Sequence, residues 1–221
     1  INDTEEWHFL TDQTLHNEFW LYFKKTIPSE IFDQIINIAF VLTKSKNAQV
    51  YIPAYDERIV ESSFIIDLSY ALSTLSDETV LQKTLIHEAA HLLTQLPNQV
   101  ILDSKTCQPI DGILLSMFCL TPDSYLAKFK QNYWSNREPS HVSGINEEDQ
   151  LLNQSYYLEH QDEFVTEYAS ANLEEDFAES FKTFIINNKP VNNTIADKKI
   201  LFFYDYPYFI KLRTDFRSRI N

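Results

Sequence analysis

His87-Glu88-Ala89-Ala90-His91 decides how the rest of the chain is read, because it sets two imidazoles four positions apart inside a helical pattern. Residues at i and i+4 lie on one helix face, one turn above the other. Both rings can then close on a single Zn²⁺, and the intervening Glu88 stands beside the water such an ion holds. Outward from the pentapeptide, Val80, Leu81, Leu85, Ala89, Leu92, Leu93 and Leu96 recur at helical spacing. Ser76 and Asp77 offer capping oxygens, and Asp77 and Glu78 put negative charge where the helix dipole favours it. Pro97-Asn98 stops the pattern. The spacing therefore predicts a buried helix over 76–96. Two core histidines bonded to neighbouring groups, with Glu88 solvated, are the bland alternative; polar rings on so apolar a helix need partners, and a metal supplies one.

The chain has 221 residues, enough for one sizeable domain, and the expectation is a single domain over 1–221 with sub-lobes 1–97 and 98–221. Glycine occurs only at Gly112 and Gly144, which argues against Rossmann or P-loop phosphate cradles. No apolar run approaches the length that spans a bilayer. A net charge of −14 repels a phosphate backbone, so no nucleic-acid partner is expected. Oligomeric state leaves no signature. Cys107 and Cys119 are the only cysteines, and in an exported protein they would form one disulfide. The sequence starts at Ile1 and its one methionine is Met117, so a processed or trimmed, secreted form is expected.

Residues 12 to 42 read as one or two helices, broken at Pro28 and Ser29, with Ile31, Ile35, Ile38, Ala39 and Leu42 as the buried face. Val50, Ile52 and Ala54 suggest a short strand, and Phe64, Ile65 and Ile66 in the 63–68 segment suggest a second. The predicted class is α+β, predominantly helical, with a small β-sheet beside the HExxH helix. Beyond Pro97, an apolar stretch over 112–120 precedes a helix over 122–134. Residues 136–150 read as a mobile loop, 159–168 as helix, and 173–186 as an amphipathic helix with Phe177, Ala178, Phe181, Phe184 and Ile185 on its apolar side. The aromatic tail from Ile200 to Phe216 reads as a packing element.

A catalytic zinc needs a third protein ligand and an open position. In HExxHxxGxxH sites a glycine and a third histidine follow closely; here those positions hold Thr94 and Pro97. Between Leu92 and Arg137 there is no glutamate or histidine, which leaves Asp103, Asp111 and Asp123 without any flanking pattern. Farther on, Asn172 is a good N-cap, and Glu175 and Glu179 lie one turn apart on one face of the helix it opens. A carboxylate in the first turn could reach a metal, and the next one along could hydrogen-bond a ligand histidine. An acidic, solvated face is the ordinary alternative for such a run.

HEAAH followed at long distance by Tyr168, Asn172, Glu175, Phe177-Ala178-Glu179 and Phe181 resembles the catalytic half of anthrax lethal factor and the related Pro-Pro endopeptidases. It is also similar to a group of bacterial zinc metallopeptidases. The resemblance implies a zincin fold of the gluzincin type, with one catalytic Zn²⁺. It implies His87, His91 and Glu175 as zinc ligands, Glu88 as general base, Tyr168 as transition-state stabiliser and Glu179 as a support for the ligands. The implied activity is hydrolysis of a peptide or protein substrate. A zincin-fold binding protein without turnover and a zinc hydrolase of a non-peptide amide are the alternatives; the complete His-Glu-His-Glu set argues against the first.

Overall fold

The computed structural model describes residues 8–9, 13–33, 37–42, 63–67, 78–101, 114–115, 118–135 and 147–220. It is α+β and predominantly helical, with two three-stranded sheets among the described residues. The chain divides into two compact units, one of Ile1–Glu88 with Ser218–Asn221 and the other of Ala89–Arg217.

The first unit opens with β1 (His8–Phe9), then α1 (Gln13–Thr26) and α2 (Ser29–Phe32). Phe19, Phe23, Ile27 and Ile31 repeat at four-residue intervals and are all buried. Pro28 holds an extended ψ of 142° and separates the two helices, as the Pro28-Ser29 break predicts. Strands β2 (Asn37–Leu42) and β3 (Ser63–Asp67) complete the sheet in the order β1-β2-β3. β1 pairs antiparallel with β2, and β2 pairs parallel with β3 from Asn37↔Ser63 to Val41↔Asp67.

One expectation is corrected here. The helical reading of 12–42 holds only to Phe32; residues 37–42 form a strand. Asn37-Ile-Ala-Phe-Val-Leu42 is rich in β-branched and aromatic residues, and a matching partner at Phe64-Ile65-Ile66 outweighs the helical spacing of Ile38, Ala39 and Leu42. The segment holding Val50, Ile52 and Ala54 lies outside the described residues.

Helix α3 (Glu78–Thr94) carries HEAAH. In the second unit, β4 (Val100–Ile101), β5 (Leu114–Leu115) and β6 (Phe118–Leu120) form an antiparallel sheet in the order β4-β6-β5. Cys119 is buried and disulfide-bonded, while its expected partner Cys107 lies outside the described residues. Helices α4 (Tyr125–Tyr133), α5 (Glu147–Glu159), α6 (Leu173–Ile186), α7 (Ile195–Phe202) and α8 (Pro207–Ile220) follow. Ser124 caps α4 by accepting from the Ala127 amide at 3.2 Å, and Gln99 Oε1 accepts from the Tyr125 amide at 2.8 Å.

The core of this unit is aromatic. Phe129, Phe177, Phe181, Phe184, Phe203, Phe209 and Phe216 are all buried, with edge-on pairs such as Phe177–Phe203 at 5.1 Å and Phe181–Phe203 at 5.5 Å between ring centres. Such pairs add about 0.5–1.5 kcal/mol each beyond the area they bury. The aromatic tail thus clamps α6 in place, as a packing element should.

Two boundaries differ from expectation. Residues 147–150, read as loop, open α5, and the segment read as helix over 159–168 is a set of turns leading to a 3-10 helix at Tyr168–Ser170. Helix α5 exposes Leu151, Leu152 and Leu158, so it lacks the clean apolar stripe that reveals a helix in sequence.

Candidate metal centre

Helix α3 is buried along most of its length: Ile86, Ala89 and Ala90 have no exposed surface, and His87 and Glu88 are buried beside them. Ala89 and Ala90 are small as well as strong helix formers, so the turn between the two histidines stays regular without bulk. Thr94 closes the helix by donating to the His91 carbonyl at 2.8 Å.

The third group comes from α6. Asn172 adopts an extended conformation (φ −165°, ψ 176°), and its Oδ1 accepts from the Glu175 amide at 2.9 Å. The cap that starts the helix therefore also fixes Glu175. Glu174, Glu175 and Asp176 all occupy the first turn, where the helix dipole stabilises negative charge. Buried Phe177, Ala178 and Phe181 lock the rotation of this helix about its axis.

Those two constraints bring Glu175 Oε2 to 3.6 Å from His91 Nε2. His87, His91 and Glu175 each offer a ligand atom, and all three atoms lie within 4.8 Å of one another. Zinc bonds of about 2.0–2.1 Å at near-tetrahedral angles would set ligand atoms about 3.4 Å apart. The His91–Glu175 separation is already close to that, and two imidazoles with one carboxylate form a donor set suited to zinc. The residues present fit the ion.

The other predicted residues lie as follows. Glu88 sits between the two histidines on α3 and is buried. Tyr168 begins the 3-10 helix and is 52% exposed rather than packed as core. Glu179 is buried one turn beyond Glu175; it accepts from Thr166 Oγ1 at 2.8 Å and pairs with Lys182. Asp123 is solvent-exposed and pairs with Lys128, while Asp103 and Asp111 lie outside the described residues.

Sequence reasoning missed the electrostatics behind Glu175. Asp176, the neighbour of Glu175 in the first turn, is fully buried and pairs with the fully buried Lys199 at 2.6 Å. Trp134 Nε1 donates to its Oδ2 at 2.7 Å. Lys199 also donates to the Glu163 carbonyl at 2.7 Å and lies 4.0 Å from the centre of the Phe164 ring. A buried ion pair holds together only with such additional partners. No local pattern around Lys199 distinguishes it from its exposed neighbour Lys198.

No protein-family model matches the chain, and no curated protein matches it. A solved structure from Bacteroides caccae, described as a "putative zinc-binding metallo-peptidase", is similar to it, with a TM-score of 0.49 and 17% identity over 96% of this chain and 79% of that one. The chemistry of the site is carried by this chain's own side chains.

Proposed function

We propose that the protein is a zinc-dependent metallopeptidase of the zincin type, with a glutamate as third ligand, that cleaves within peptide chains. The observation that carries this reading is the convergence of His87, His91 and Glu175, with Glu88 held between the two histidines. The likeness of the two motif blocks to lethal factor and the Pro-Pro endopeptidases supports it at the same residues.

When bound, a single Zn²⁺ would act as Lewis acid toward the scissile carbonyl and lower the pKa of a water to about 7. His87 and His91 would hold the ion through ring nitrogens and Glu175 through a carboxylate oxygen. Glu88 takes the water proton on its carboxylate and delivers it to the leaving amine. Tyr168 donates its phenol hydrogen to the oxygen that becomes negative. Glu179 supports this constellation from the next turn of α6. We also place the protein among exported proteins, a compartment in which the Cys119 disulfide is stable.

Cleavage of a peptide library by wild type and Glu88→Gln tests the reading. Removing the general base should slow cleavage by about 10²–10⁴-fold while zinc stays bound. If the two proteins give the same products at the same rate, the reading is wrong.

A further inference from the structure

The 3-10 turn that carries Tyr168 is held from both sides by hydrogen bonds of its neighbours. On one side Thr166 Oγ1 donates to Glu179 Oε2 at 2.8 Å and accepts from the Ala169 amide at 3.1 Å. Lys182 pairs with the other oxygen of Glu179. On the other side the Ser170 hydroxyl lies 2.7 Å from Asn153 Oδ1 and 2.6 Å from the Glu167 carbonyl, both acceptors that share its proton. Asn153 Nδ2 donates to the same Glu167 carbonyl at 3.1 Å. Asn153, Ser170 and Glu179 are buried, whereas Tyr168 is half-exposed. The frame beneath Tyr168 holds the backbone turn that carries it.

We propose that Thr166 and Asn153 are positioning residues that set the Tyr168 phenol, with Glu179 linking the Tyr168 turn to the helix that supplies Glu175. This rests on the metallopeptidase reading. A buried polar frame specifies one geometry only when every member is satisfied. Removing the Thr166 hydroxyl releases the Ala169 amide and leaves a Glu179 oxygen without that donor. Both changes act on the turn, and neither removes a metal ligand.

Thr166→Val, Thr166→Ser, Tyr168→Phe and the Thr166→Val/Tyr168→Phe double variant test this. Tyr168→Phe should lower kcat by about 10²-fold, the cost of one oxyanion donor. Thr166→Val should lower kcat on the order of tenfold through misplacement, with KM and zinc content unchanged. Thr166→Ser should restore it. In the Tyr168→Phe background Thr166→Val should cost nothing further, because its effect passes through the phenol. Independently of activity, amide exchange at Ala169 should quicken in Thr166→Val and return to the wild-type rate in Thr166→Ser. Asn153→Ala carries the same test should Thr166→Val fail to fold. The inference is overturned if the two losses multiply in the double variant, or if Thr166→Val keeps its kcat while Glu88→Gln loses activity. Failure of the underlying reading shows differently, as wild type indistinguishable from Glu88→Gln.

Discussion

His91 Nε2 stands 3.6 Å from Glu175 Oε2 although, among the described residues, three strands, two α-helices and a 3-10 helix lie between them in sequence. The approach has two local causes: an uninterrupted buried helix that aims the imidazole, and an asparagine cap that fixes the amide of Glu175 itself. Zinc would complete a contact that folding has already built.

Glu175→Ala should weaken zinc binding by more than the roughly 10–100-fold typical of altering a partner behind a ligand. Competition with a chromophoric chelator measures this. Asn172→Ala should weaken binding less, since a lost cap costs about 0.5–2 kcal/mol of helix stability and leaves the carboxylate in place. Equal zinc affinity in Glu175→Ala and wild type would remove Glu175 from the ligand set.

Lys199→Met should destabilise the protein by about 3–5 kcal/mol, because it leaves Asp176 charged and buried without its cation. Urea unfolding reads the loss. Combining it with Asp176→Leu should recover much of the stability, since the stranded charge is gone. A single variant as stable as wild type would mean that the pair contributes nothing.

Tyr133 gives the fold an alkaline limit. Burial, with help from nearby Asp205, pushes its hydroxyl up from the ordinary 10.0 to about 12. The fold thus holds the phenol proton more tightly than the unfolded chain does. That contribution is full below pH 10 and is lost as pH rises toward about 12. Tyr133→Phe also loses the hydrogen bond to the Lys198 carbonyl at 2.9 Å, so it should be the less stable protein at neutral pH. Chemical unfolding across alkaline pH should show the gap between the two narrowing above pH 10; a constant gap would contradict the assignment.

The candidate ligands are legible in sequence in part: the two histidines leave a local mark, and Glu175 is singled out from Glu179 by the resemblance of the two motif blocks. Two histidines at i, i+4 on an apolar helix and an asparagine three residues before a glutamate are both short-range patterns. What sequence hid was decided at long range. Residues 37–42 become strand because β3 pairs with them. Asp176 turns inward because Lys199 and Trp134 meet it there. Thr166 and Asn153 look like ordinary polar residues until Glu179 and Ser170 close around the Tyr168 turn.

Zinc titration into the metal-stripped protein, read as peptide cleavage with Glu88→Gln alongside, tests the central claim most directly. Wild-type activity should rise in proportion to zinc and level off at one ion per chain. Glu88→Gln should bind the same ion and stay slower by about 10²–10⁴-fold throughout. Cleavage that ignores zinc, or that proceeds equally in both proteins, would contradict a catalytic zinc at His87, His91 and Glu175.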